Sequence, residues 1–142
     1  MIRVVRLGTP RAKGEGLRLG TVRRPPRGVK KGDYARLDYY DVWLPELAPS
    51  AALVAWATSK PWTDARWAQF ARRYRAEMHR PPAQRLLGLL AALSAQTNLS
   101  VGCYCEDESR CHRSVLRELL EEAGARVERA RALRKRGRPR RG

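Results

Sequence analysis

Residues 99–125 read LSVGCYCEDESRCHRSVLRELLEEAGA. The first seven, LSVGCYC, form a short, mostly apolar run, which predicts a buried central strand over 99–105. Ser109 then stands as a helix N-cap ahead of a closing helix over 110–123, with Val115, Leu116, Leu119 and Leu120 on one face. Gly124 follows as a natural residue just past the helix end. A buried strand leading straight into an amphipathic helix fits an α/β fold. Ligands in such folds collect where strand C-termini meet helix N-termini. The loop 104–112 is the predicted place of a site.

The rest of the chain agrees with that fold class. IRVVRL at 2–7 reads as a first strand. From Pro10 to Lys31 the chain is rich in Gly, Pro and Arg, and only LRLGTV at 17–22 within it suits a second short strand. Loops of that length are more often functional than idle. Ser50 caps a helix carrying Leu53, Val54 and Trp56. Asp64 is the expected cap of the next helix, in which Trp67, Phe70, Ala71, Tyr74 and Met78 recur at three and four. Pro81 and Pro82 break that helix and open another, AQRLLGLLAALSAQ, apolar enough to be largely buried. ARVERARAL at 125–133 reads as a last strand. The expectation is a single compact α/β domain over 1–133, with a partly parallel sheet flanked by helices. A disordered basic tail over 134–142 would follow it.

Composition bounds the function. Hydrophobic residues make up 43% of the 142, with four tryptophans, which argues for a packed core rather than disorder. No apolar run approaches the roughly 20 residues of a membrane span, and MIRVVRLGTP lacks the apolar core of a signal peptide. A cytoplasmic protein with no membrane partner is expected. Thirty Lys and Arg against 14 Asp and Glu give a net charge of +16; removing the six cations of 134–142 still leaves +10. A field of that sign concentrates polyanions, nucleic acid above all.

Three cysteines crowd into nine positions, an odd set unlike a secreted disulfide framework. Cys103 and Cys105, two apart on a strand, share a face. Cys111, His112 and Arg113 fall in the first turn of the following helix. Three chemistries could use them. Cys103, Cys105, Cys111 and His112 supply a zinc ligand set, although the spacing is poor and adjacent Cys111 and His112 diverge on a helix. No other cofactor is indicated. A thiol at a helix start beside cations is a candidate nucleophile, which makes Cys111, with His112, the catalytic candidate. Free N–H groups at the helix start, with His112 and Arg113, would instead bind a phosphate- or nucleotide-like anion. Glu106, Asp107 and Glu108 would then orient the cations or meet ribose hydroxyls. A purely structural role, with small thiols in the core, stands beside all three.

Cys103, followed eight residues on by Cys111-His112-Arg113 between an apolar strand and a Leu-rich helix, resembles the YeaO-like proteins, domain-of-unknown-function family 488. TVRRPPRGVKKGD, DVWLPELAPSAAL and WAQFARRYRAEM resemble further segments of that family in the same order, so the likeness spans roughly 2–125. The resemblance implies a compact α/β fold with a shared pocket built from Arg24, Arg27, Lys30 and the Cys-His-Arg turn. It implies no settled reaction. Two departures stand out. Arg23 and Pro25 or Pro26 replace an Asp and a Trp of the family's basic stretch, and Cys105 stands where an acid is common. Independently, Pro25 and Pro26 stiffen the basic loop, Gly28 allows close approach, and its guanidinium groups suit phosphate oxygens.

The chain ends in RKRGRPRRG, and Arg136-Gly137-Arg138-Pro139 resembles an AT-hook. Gly137 has no side chain to clash with a minor-groove floor, and Arg136 and Arg138 would reach into A·T-enhanced negative potential. Pro139 keeps the preceding residue extended, while Arg134, Lys135, Arg140 and Arg141 would meet phosphates. The function expected from sequence is DNA binding through this tail and recognition of a phosphate- or nucleotide-like anion, a small phosphorylated ligand, at the pocket of Cys103, Cys111, His112 and Arg113. A small enzyme using the Cys111 thiol or a bound metal is the alternative, and a non-catalytic anion sensor is another.

Overall fold

Leu99–Cys103 is a strand whose five residues are all buried. Such a strand has to be covered on both faces and paired on both edges, and it is. In a computed structural model, which describes residues 1–129, it lies between two other strands of a four-stranded sheet. In chain order the strands are β1 (Ile2–Arg6), β2 (Leu17–Gly20), β3 (Val42–Trp43) and β4 (Leu99–Cys103), arranged β1-β4-β2-β3. All three pairings are parallel, with Ile2 opposite Leu99, Leu17 also opposite Leu99, and Leu19 opposite Val42. The α/β class is therefore present, and among the described residues the sheet is wholly rather than partly parallel. Gly102 lets the sheet close: a Cβ there would meet Leu7 Cδ2 at 2.6 Å and the Val5 carbonyl oxygen at 2.9 Å.

Four helices complete the fold: α1 (Ala51–Thr58), α2 (Asp64–Met78), α3 (Pro81–Ser94) and α4 (His112–Glu122). Their apolar stripes meet one face of the sheet, where Phe70, Tyr74, Leu87, Leu90, Leu116 and Leu120 pack with Ile2, Leu19, Leu99 and Val101. Among the described residues the opposite face is closed by a smaller apolar cluster, with Tyr40 over Gly20 and Leu7 over Gly102, and by polar chemistry beside it. Arg18, fully buried, donates to both carboxylate oxygens of Glu15 at 2.8 and 2.9 Å. It also donates to the carbonyls of Thr9 and Asp38 at 2.7 Å each. Ser100 donates to the same carboxylate at 2.7 Å. Every buried charge here is paired and hydrogen-bonded, as the cost of desolvation requires. Much of the Gly/Pro/Arg-rich stretch thus ties the loops to the sheet.

Local signals explain most element ends. Ser50 Oγ accepts from the Leu53 N–H at 3.1 Å, so the predicted cap of α1 is present. In α2 the cap is Thr63, whose hydroxyl accepts from Arg66 N–H at 3.1 Å; Asp64, expected to cap, is instead the first helical residue. Ser109 does not cap α4 either. It sits in a 3-10 turn over Glu108–Arg110, where Asp107 accepts from its backbone N–H, and Cys111 takes the N-cap position of α4. At the other end Gly124 adopts φ +92°, with Gly124 N–H on the Glu121 carbonyl and Ala125 N–H on that of Leu120. These are the paired bonds of a left-handed helix terminus.

Two strand expectations need amendment. β3 has no counterpart in the sequence reading, because two residues carry no alternation to detect. The strand expected at 125–133 is represented, among described residues, by one parallel bridge between Ile2 and Val127. Its remainder, and the basic tail at 134–142, lie outside the described residues.

Candidate functional site

The C-terminal end of β4 delivers Cys103, and the chain bends at Tyr104 before the 3-10 turn returns it to α4. Cys111 has extended geometry, φ −130° and ψ 148°, and His112 begins the helix. That break in backbone conformation matters. On a continuous helix the two neighbouring side chains would diverge, as expected from sequence; here Cys111 Sγ lies 3.8 Å from His112 Nδ1. Ligand atoms of Cys103, Cys111 and His112 all fall within 4.8 Å of one another, and all three residues are buried. Cys105 is exposed, yet its sulfur is 3.7 Å from that of Cys103.

The histidine's orientation is set from outside this cluster. Its Nε2 lies 2.7 Å from the Thr21 carbonyl oxygen, which can only accept, so Nε2 carries a hydrogen and Nδ1 is the nitrogen turned toward Cys111. Tyr74 stands edge-on to the imidazole at 5.4 Å and is itself held by donation to the Leu47 carbonyl at 2.7 Å. Thr21 hydroxyl in turn donates to the Gly102 carbonyl at 2.9 Å. Arg113 is 3% exposed. Its Nε donates to Cys111 Sγ at 3.4 Å and its Nη2 to the Cys105 carbonyl at 2.6 Å. The guanidinium is thus a buried counter-charge to sulfur.

The three thiols are shifted in opposite directions. Cys111 is held far below the ordinary thiol range by hydrogen bonds from Cys103 and Cys105, with His112 adding to the effect and burial opposing it. Cys103 is pushed far upward by its sulfur contacts with Cys105 and Cys111 and by burial, as befits the donor in the pair. For Cys105 the contact with Cys103 lowers the value, but the contact with Cys111 and burial prevail, raising it to about 11. Negative charge therefore concentrates on Cys111.

Cys103, Cys105, Cys111 and His112 line a cavity of about 640 Å³. Its walls are mainly apolar, with Val54, Ala55, Trp62 and Phe70, and four cations, Arg23, Arg24, Lys60 and Arg110, also line it. Arg110 is committed to Asp64 at 2.6 Å. Arg23, at the same cavity, is spent on the Pro49 and Pro45 carbonyls at 2.9 and 3.1 Å. Of the basic loop residues named from sequence, Arg24 lines the cavity, whereas exposed Arg27 and Lys30 line neither it nor the polar cavity on the other face. Arg113 borders that second cavity instead. Cys103, Cys111 and His112 come together, and the divergence expected of adjacent Cys111 and His112 is overturned by the extended backbone at Cys111. Thr21, Tyr74, Trp62 and Phe70 were not foreseen as site residues. Phe70 and Tyr74 were legible only as core positions of α2, and Thr21 carried no signal.

Cys103, Cys111 and His112 are a donor set that could hold a soft divalent cation such as zinc with one position open to the cavity. A guanidinium already occupies the place of positive charge beside Cys111, however, and a dication there would meet it at close range. Among the described residues no helix is long and apolar enough to cross a membrane. Comparison with curated proteins found no match, nor did comparison with solved structures. A family model described as the active DUF488-N3 subclade matches residues 2–124, nearly the whole described chain, and the protein belongs to this DUF488, or YeaO-like, family.

Proposed function

We propose that the chain is a small enzyme that uses Cys111 as a nucleophilic thiolate on a ligand with an apolar body and an anionic group. The observation that carries this reading is the donation of Arg113 Nε to Cys111 Sγ beside an imidazole whose Nδ1 faces the same sulfur. The proton of Cys111 rests on His112 Nδ1, which leaves the sulfur as thiolate. Sulfur then bonds to the electrophilic atom of the ligand as the bond to the leaving group breaks, and the leaving group takes the proton from Nδ1. The cavity size lies within the roughly 300–1,000 Å³ of ordinary small-molecule sites. Trp62 and Phe70 suit a flat or aliphatic body, while Arg24 and Lys60 suit a phosphate or carboxylate. Arg113, fully engaged inside, serves the sulfur and not the ligand's anion.

Iodoacetamide labelling of the full chain followed by mass spectrometry across pH 5–9 tests the reading. Cys111 should be modified faster than exposed Cys105 throughout. Labelling of Cys111 no faster than that of Cys105 would defeat it, and near-stoichiometric zinc in the purified protein with an unreactive Cys111 would transfer the site to a metal.

The charge supports nucleic acid as a partner in addition. Arg24, Arg27, Lys30 and Lys31 are exposed on the loop that also borders the cavity through Arg24, and the whole chain carries +16. DNA contact through residues 134–142 remains part of this proposal, tested by the deletion described in the Discussion.

A further inference from the structure

The cavity holds two sulfurs that nucleophilic attack by Cys111 leaves unused. They are not equivalent. Cys103 is buried and lies within 4.8 Å of the reactive sulfur, while Cys105 is exposed and lies 3.7 Å from Cys103. Cys105 also contacts Cys111, so the three sulfurs form a cluster that reaches from the buried Cys111 and Cys103 to the exposed Cys105. The backbone supports this arrangement: β4 ends at Cys103 and the bend at Tyr104 brings the third sulfur back onto the second. One guanidinium spans the cluster, since Arg113 donates to Cys111 Sγ and to the Cys105 carbonyl.

We infer that Cys111, Cys103 and Cys105 form a thiol–disulfide relay that reduces a peroxide in the cavity and passes the resulting disulfide outward to a soluble dithiol. The inference rests on the reading of Cys111 as the reactive thiol. The thiolate of Cys111 attacks the terminal oxygen of the peroxide, the O–O bond breaks, and the alkoxide or hydroxide takes a proton from water, leaving a sulfenic acid on Cys111. The Cys103 thiol attacks that sulfur, a Cys103–Cys111 disulfide forms and water departs. Cys105, losing its proton to water, attacks Cys103 sulfur, which forms the Cys103–Cys105 disulfide and returns Cys111 as thiolate. An external dithiol then reduces the exposed bond and is itself oxidised to a disulfide. Across the cycle one peroxide and one dithiol become one alcohol (or water), one further water and one disulfide.

An exposed terminal sulfur is what the last step demands. Cys111 is 2% exposed, whereas Cys105 is exposed, so an external dithiol meets Cys105 first.

The test uses the full chain, hydrogen peroxide as oxidant and dithiothreitol as reductant, with disulfides mapped by mass spectrometry. One equivalent of peroxide should leave the native chain with a Cys103–Cys105 disulfide. Cys105→Ser should stop at a Cys103–Cys111 disulfide, with turnover lowered at least tenfold. Cys103→Ser should hold a Cys111 sulfenic acid that dimedone traps. Circular dichroism and thermal melting show that the variants are folded, and Cys105, being exposed, provides the variant least able to disturb the core. Three results overturn the relay: native turnover in Cys105→Ser, a Cys105–Cys111 disulfide with native turnover in Cys103→Ser, or direct conversion of native Cys111 to sulfinic acid. Slow alkylation of Cys111 would instead overturn the thiol reading beneath it. Fast alkylation without any Cys103–Cys105 disulfide would overturn the relay alone.

Discussion

Arg113 donates its Nε–H to Cys111 Sγ across 3.4 Å, and neither side chain is more than 3% exposed. A guanidinium this deep needs a charged or strongly accepting partner, and a thiolate supplies one. The second arm of the same fork holds the Cys105 carbonyl at 2.6 Å, so the group fixes the loop as well as the charge. A point-charge ammonium cannot make both bonds in that geometry. Arg113→Lys should therefore remain folded but slow Cys111 alkylation at pH 7 at least tenfold, a change of about 1.4 kcal/mol. Labelling kinetics beside a circular dichroism spectrum read the effect. A native rate would remove Arg113 from the positioning of the sulfur.

Cys103 supplies the leading hydrogen bond that holds the Cys111 thiol low, ahead of Cys105 and His112. Deleting that donor shifts the titration of Cys111 upward, toward the ordinary thiol value. The native protein, ionised well below that value, should show an alkylation rate nearly flat from pH 5 to 8. In Cys103→Ala the rate should fall as pH drops below the raised value, whereas Cys103→Ser, which keeps an O–H donor, should recover part of the flat profile. Superimposable profiles for native and Cys103→Ala would show that the donor is irrelevant.

Glu15 governs acid stability. Burial pushes its carboxyl upward, but donation from Arg18, Ser100 and the Ala12 N–H outweighs burial and brings it down to about 2. A carboxyl depressed in the folded state stabilises the fold fully above its unfolded value, here 4.5, and that contribution disappears as pH falls toward 2. The contribution is on the order of 3 kcal/mol. Denaturant midpoints measured between pH 6 and 2 should decline most steeply below 4.5. Glu15→Ala should flatten that part of the decline and lower stability at pH 7 by about 3–5 kcal/mol, because it strands the buried Arg18 cation. Loss of less than about 1 kcal/mol would contradict the pairing.

Deletion of 134–142 should weaken binding of A/T-rich duplex and make its salt dependence shallower, since six cations leave with the segment. Titrations at two salt concentrations suffice. Equal affinity and slope in the shortened chain would end the proposed role of Arg136-Gly137-Arg138.

Sequence periodicity was enough to place β4 and the helices. Leu99 to Cys103 form a run too apolar for an edge, and Leu116, Leu119 and Leu120 repeat on one face of α4; burial then follows from water's exclusion alone. Helix ends were less legible. Thr63 and Asp64 are adjacent and both are competent caps, and local preference does not rank one above the other when the register is set by where Phe70 and Tyr74 must pack. β3 escaped notice because a two-residue strand is defined by its partner, Leu19 to Gly20, and not by its own pattern.

The sequence by itself determined that two cysteines, a histidine and an arginine would meet at a strand-to-helix junction, since an apolar strand and an amphipathic helix leave a single short loop between them. Only the tertiary structure decided what those groups are to one another. The extended backbone of Cys111 turns its sulfur toward His112, the Thr21 carbonyl from a different strand end selects the ring nitrogen that faces the sulfur, and burial draws the Arg113 guanidinium onto sulfur instead of toward a ligand. Such relationships depend on φ, ψ and on neighbours 91 residues distant in the chain, and no local spacing encodes them.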